Sequence, residues 1–318
     1  MSTPPESVAR AAPAADPARA ADALERAVAC SERGNADRPV TLIGARDLGA
    51  LGPRDVRARL DRVMMGEFAA EGLDSLLACG VLDALLPEVK AMVGFGDGEW
   101  RHKDVWKHTK QVVTQSVGRI EVRYAALFHD IGKVKTRSIS TSGEVHFFGH
   151  AEVGARMFDK LERRERLFSS DEPLREGVRF LVLHHLRASQ YDGKWTDSAV
   201  RRFAREIGPH LEDLLCLSRA DITTKRIEKK RRGITMIDEL SERITELTAH
   251  DAEQPALPTG VGNEIMTAFK LPPSRLVGDI KRALEAAVDS GEIEGGLESQ
   301  AYVEFVAANK ARFGLPGA

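Results

Sequence analysis

The sequence predicts an all-α protein, or nearly so. From Asp55 onward almost every segment spaces its apolar residues at helical intervals, and alternating strand patterns are scarce. The exception is a possible hairpin over Thr136–Phe148, turning around Ser142-Gly143. A chain of 318 residues with 42% hydrophobic and 30% charged residues has enough apolar material for a real core.

The same composition narrows the function. A formal charge of −2 gives no overall attraction to nucleic acid, so any affinity for RNA or phosphate has to come from local patches. Cys30, Cys79 and Cys216 are scattered, with neither CxxC spacing nor a disulfide framework, as expected in a reducing cytosol. No apolar h-region opens the chain and no apolar run approaches a membrane span. A cytoplasmic protein without a membrane partner is expected, with its oligomeric state left open.

Residues 1–37 are rich in Ala and Pro, lack an apolar period, and read as a mostly disordered tail. The next segment, 38–98, opens with an extended piece at Pro39–Ile43. Val56, Leu60, Val63, Met64 and Phe68 then fall on one helical face. A break at Gly72 precedes a second leucine-rich helical stretch that stops near Pro87. A loop with three glycines, GFGDGEW, leads into a helical region over 99–250. There Leu211, Leu214, Leu215 and Leu217 crowd one stripe, and Ile234, Ile237, Ile244 and Leu247 run along a long charged helix. Residues 251–318 form a linker and a final helical block.

Within 99–250 the chain presents, in order, His108, His129-Asp130, His150, His184-His185 and Asp221. Each sits in or at the end of an expected helix, as when several helices point ligands into one bundle. Burying His129 and Asp130 at the end of the apolar run YAALF is costly unless they find partners. Imidazole and carboxylate together suit one or two ions of Mn²⁺, Fe²⁺, Ni²⁺, Zn²⁺ or Mg²⁺, and no thiolate biases the set toward softer metals. Such an ion lowers the pKa of a bound water, to about 7 in strong zinc cases.

This ordered set resembles the HD superfamily of metal-dependent phosphohydrolases, with His108, His129-Asp130 and Asp221 in the places of its lone His, its doublet and its distant Asp. His150 and His185 resemble the longer version, which binds a second metal. The segments RHKDVWKHT, ALFHDIGK, GHAEVGARM, LVLHHLR, WTDSAVRRFAREIG and LSRADITTK further resemble the C-terminal half of bacterial tRNA nucleotidyltransferases, the CCA-adding enzymes. That resemblance implies a helical neck over 38–98, an HD domain over 99–250 and a helical tail over 251–318. The catalytic head of those enzymes needs a glycine-rich turn and paired carboxylates on a strand. Only Gly52–Asp55 and Asp97-Gly98-Glu99 come near, without strand context, so the resemblance does not imply nucleotide addition.

His150 follows Gly149 at a helix start, where capping is the rival to metal or phosphate contact. His184 and His185 point about 100° apart on a helix, so one faces the site; His185 matches the family's position and His184 flanks it. His102, His146, His210 and His250 default to structural or surface roles, and Trp106 and Trp195 to the core. Lys133, one short turn past Asp130, is either an ordinary surface lysine or a point cation for a phosphate, and Arg219 is a second candidate for that charge. Lys225, Arg226, Lys229, Lys230, Arg231 and Arg232 form either a solvated helix face or a track for an RNA backbone.

The expected activity is metal-assisted hydrolysis of a phosphomonoester or cyclic phosphodiester on a nucleotide or RNA end, with Asp130 and Lys133 as the catalytic pair. The rival expectation is a non-catalytic RNA- or tRNA-binding module, or the tail half of a split tRNA nucleotidyltransferase.

Overall fold

The computed structural model describes residues 15–37, 39–96, 104–253 and 256–315. Asp97-Gly98-Glu99, His102 and the first fourteen residues of the expected tail lie outside the described residues. The chain divides into two compact units, Met1–Arg187 with Glu212–Arg231, and Ala188–Leu211 with Arg232–Ala318. Both are helical.

The first unit opens with α1 (Pro17–Arg33), which corrects the expected disorder of 1–37 over that span. Asp16 caps it by accepting from the amides of Ala18 and Arg19, Pro17 occupies its first turn, and Gly34 ends it at φ +78°. Ala20, Ala23, Leu24, Ala27 and Val28 are buried along one face. That face is made mostly of alanine, so it carries a helical period without bulky apolar residues. The small stripe permits close approach: a Cβ on Gly66 or Gly72 would collide with Ser31.

After the short helix α2 (Ala45–Gly49) come α3 (Pro53–Met65) and α4 (Ala69–Ala78), both packed against α1. Gly52–Asp55 is the start of α3, with Gly52 at its N-cap, and so carries no strand. Pro39–Ile43 is extended without forming a strand. Two short helices follow, α5 (Val81–Leu85) and α6 (Pro87–Lys90).

The functional helices come next. α7 (Val105–Gln115) packs on α8 (Ile120–Phe128), whose residues Val122 to Phe128 are all buried. A helix apolar on every side belongs in the interior. A short α9 (Lys133–Thr136) leads to the expected hairpin, where β1 (Ser138–Ile139) pairs antiparallel with β2 (Val145–His146). Ser138 is opposite His146, and Ile139 opposite Val145. The hairpin returns the chain to α10 (His150–Glu165), and α11 (Glu172–His184) packs on both α8 and α10.

In the second unit, α12 (Asp197–Ile207) is preceded by Trp195, whose ring meets Tyr191 and Phe203 edge-on. The chain re-enters the first unit with α13 (Leu211–Asp221), and α14 (Ile227–Glu253) continues into the second. There α15 (Val261–Phe269), α16 (Arg275–Asp289) and α17 (Ser299–Ala308) enclose a core of Ile265, Leu284, Tyr302 and Val306. The buried Tyr302 hydroxyl lies 2.9 Å from the Ala256 carbonyl and accepts from the Leu297 amide, which satisfies a polar group that burial would otherwise penalise.

Candidate metal centre

Each candidate ligand stands on or at the end of a helix of the first unit. His108 is in the first turns of α7, His129 caps the C-terminus of α8 with Asp130 directly after it, and His150 opens α10. His185 caps the C-terminus of α11, and Asp221 is the last residue of α13. Gly132 makes the assembly possible. A Cβ there would lie 2.0 Å from the His150 carbonyl and 2.7 Å from the Gly154 amide, so the turn after Asp130 meets the start of α10 backbone to backbone.

The six side chains form two triads, His108–His129–Asp221 and Asp130–His150–His185. Within each, the ligand atoms lie within 4.8 Å of one another. Asp130 faces both. Its Oδ2 is 3.2 Å from His129 Nε2 and 3.5 Å from His108 Nε2, while its Oδ1 is 3.6 Å from His150 Nε2. Asp221 Oδ1 lies 2.9 Å from His108 Nε2 and 3.6 Å from His129 Nε2.

All four imidazoles are oriented through Nδ1. His129, His150 and His185 each place it 2.8 Å from a main-chain carbonyl, of Ala126, Phe147 and Val182 respectively. His108 Nδ1 is 2.8 Å from Thr223 Oγ1. A ring whose Nδ1–H is donated to a carbonyl presents a bare Nε2 lone pair to the centre, which is how outer-shell partners prepare histidines for metals. The Nε2 atoms meet in pairs, at 3.3 Å for His108 and His129 and 3.1 Å for His150 and His185. Two acceptors at that distance repel unless a cation or a proton comes between them. The residues therefore fit a divalent ion.

The electrostatics agree. Burial disfavours a charged His129, yet Asp130 and Asp221 outweigh it and push its pKa up to about 10. Burial likewise opposes ionisation of Asp130, but His129, Lys133 and His108 hold its carboxyl well below the usual range. Asp221 is lowered against burial by hydrogen bonds from His108 and His129. His150 is lowered by burial, and His185 by burial and the neighbouring His129, to about 4, so both are neutral and ready to donate a lone pair. The buried Asp130 and the half-buried Asp221 together demand positive charge, and a proton on His129 supplies it in the metal-free protein.

His129 and Asp130 side chains are 0% and 1% exposed, whereas His108 is 12% and Asp221 31% exposed. The mouth of the centre is therefore on the His108–Asp221 side. Lys133 Nζ donates to Asp130 Oδ2 at 2.7 Å and lies 5.6 Å from the centroid of the Phe147 ring. Arg219, half-buried in the last turn of α13, precedes Asp221 by two residues.

The remaining candidates fall outside the two triads. His184 packs its ring against Phe180, and Trp106 is buried beneath Lys110. Lys225 and Arg226 are exposed just before α14, and Lys229, Arg231 and Arg232 are exposed in its first turns; Lys230 reaches Gln115 and Arg231 pairs with Glu228. Thr223 escaped sequence reasoning, because its bond to His108 spans 115 positions and no local pattern marks it.

Residues 105–226 match the HD domain family and hold all six candidate ligands. That helical stretch is similar to the HD class, as its ordered histidines and aspartates imply. The chain as a whole is similar to tRNA nucleotidyltransferases. It is 32% identical over 258 residues to the A-adding tRNA nucleotidyltransferase of Deinococcus radiodurans, covering 78% of this chain and 57% of the relative. It is also 32% identical over 257 residues to the CC-adding tRNA nucleotidyltransferase of Thermus thermophilus, covering 78% and 55%. The multifunctional CCA protein of Dechloromonas aromatica is 32% identical over 140 residues, covering 41% of this chain and 33% of the relative. The chain thus spans little more than half the length of its first two relatives. No helix among the described residues is long and apolar enough to cross a membrane.

Proposed function

We propose that this chain hydrolyses a phosphomonoester or a cyclic phosphodiester on a nucleotide or an RNA end. The observation that carries the reading is Asp130, whose two oxygens face two separate histidine groups. A carboxylate divided in this way holds two cations side by side, His108, His129 and Asp221 completing one ligand set and His150 and His185 the other. Bound divalent ions supply Lewis acidity and an activated water at neutral pH.

The chain's own groups do the rest. Main-chain carbonyls hold His150 and His185 in one tautomer and fix the ring of His129, which has only its Nε2 proton to give up. Lys133 balances Asp130 and stands ready to neutralise negative charge on a phosphoryl oxygen. The partly exposed His108–Asp221 edge leaves the substrate a way in.

The test is a screen of metal-loaded protein against 2′,3′-cyclic nucleotides, nucleoside monophosphates, deoxynucleoside triphosphates and RNA ends, with Mn²⁺, Fe²⁺, Ni²⁺, Zn²⁺ and Mg²⁺ in turn. Metal-dependent release of phosphate or ring opening supports the hydrolase, and silence across the whole panel overturns it.

A second reading, an RNA- or tRNA-binding module or the tail half of a split tRNA nucleotidyltransferase, draws on the relatives' names and on one feature of α14. Lys229 and Lys230 sit in its first turns, where the helix dipole disfavours cations. Helix stability does not account for them there, whereas an anionic partner does.

A further inference from the structure

Phe148 is 78% exposed and, among the described residues, the only exposed Phe, Tyr or Trp. Its ring stacks on His146, with centroids 4.9 Å apart and planes 13° from parallel. The pair stands on the return limb of the hairpin, just before α10. Packing gives no reason for a phenyl ring to remain in water here, since the pair covers no apolar core.

The chain on either side of Phe148 is fastened to the metal centre. The Phe147 carbonyl accepts from His150 Nδ1, and the Phe147 ring lies near Lys133, which pairs with Asp130. On the other side Gly149, at φ +71°, is the N-cap of α10, whose first residue is the ligand His150. Two chain steps separate Phe148 from His150, so their Cα atoms are at most about 7.6 Å apart. The exposed ring therefore lies within a nucleoside's length of the Asp130–His150–His185 triad.

We propose that the His146–Phe148 stack is a nucleobase platform, which receives the base of a nucleoside phosphate whose phosphoryl group lies at the metal centre. The chemistry suits a base better than a protein partner. The stack offers a single ring face backed by a second ring rather than a broad apolar patch, and the hairpin turn beside it is polar: Ser140 bonds Ser142, and exposed Thr141 and Glu144 flank them. Aromatic stacking accepts any base, because every base has a π-face. This inference rests on the phosphohydrolase reading and adds to it the surface that receives the base of the substrate.

The experiment compares adenosine 5′-monophosphate with ribose 5-phosphate, its base-free counterpart, by calorimetric titration into Mn²⁺-loaded protein. Wild type is expected to bind the nucleotide at least about tenfold more tightly, in line with one base on one aromatic platform. Phe148→Ala should bring the ratio of the two affinities toward one, and Phe148→Trp should restore it. Folding is not at issue, since the side chain is exposed. Equal affinities in wild type, or a ratio that survives Phe148→Ala, overturns the platform and leaves the phosphohydrolase reading standing. If neither compound binds the loaded protein, the platform falls, and the substrate screen decides the phosphohydrolase reading separately.

Discussion

The Nε2 atoms of His150 and His185 face each other at 3.1 Å, and the second nitrogen of each ring is held by a main-chain carbonyl. Neutral, they would point lone pair at lone pair, so the arrangement is stable only around a cation. One ion per triad is expected. His185→Ala should reduce bound Mn²⁺ from two ions per chain to one, measured by elemental analysis after gel filtration. Two ions retained by that variant would place the second ion elsewhere.

Asp130 is the carboxylate that faces both groups. Asp130→Ala should lower any phosphohydrolase turnover by about a thousandfold or more, the range expected when metal activation is lost. Far-ultraviolet circular dichroism should show the helices retained. Full turnover in this variant would mean that hydrolysis occurs at another site.

Metal binding should release a proton. His129 has a pKa raised to about 10 in the metal-free protein, so it is protonated at pH 7 and must lose that proton to become a ligand. Calorimetry at pH 7 in buffers of different ionisation enthalpy should show release of about one proton per first ion bound, and weaker binding as the pH falls. A binding enthalpy independent of buffer would contradict this protonation state.

Away from the centre, burial raises the pKa of Glu162 above its usual 4.5, and its Oε1 has no hydrogen-bond partner. For a group raised in the folded state, the contribution to stability is full below the unfolded pKa of 4.5 and is lost as pH climbs through the folded value. Glu162→Gln should remove this loss, flattening the dependence of stability on pH from about 4.5 upward. Denaturant melts at pH 4 and pH 7 provide the comparison, and equal slopes in both proteins would refute it.

The basic run offers a test of the second reading. Replacing Lys229, Arg231 and Arg232 with glutamate should weaken RNA binding and reduce its salt slope by roughly 0.7–0.9 for each phosphate no longer neutralised. Hydrolysis of a small nucleotide should change little. Unaltered RNA affinity in the triple variant would show that RNA does not follow this face.

Much of the site could be read in the sequence because its ligands are carried by local signals. His129 and Asp130 are adjacent polar residues closing an apolar helix, and His150 follows a glycine at a helix start. The order of the set mattered more than any one histidine. Thr223 and Phe148 could not be recognised in the same way. The first acts through a residue distant in the chain, and the second is distinguished only by its exposure. The helix over 17–33 was hidden for a different reason: a buried face made of alanine looks like a composition bias until the glycines it packs against are seen.

The absent side chain of Gly132 also bears on how change is tolerated. Because the turn after Asp130 rests on the start of α10 through main-chain atoms, the register between the two ligand groups does not depend on which apolar side chains fill the interior nearby. Core substitutions can accumulate around Phe128, Phe158 and Val182 without altering the gauge between the two triads. A single methyl at position 132 would reset it.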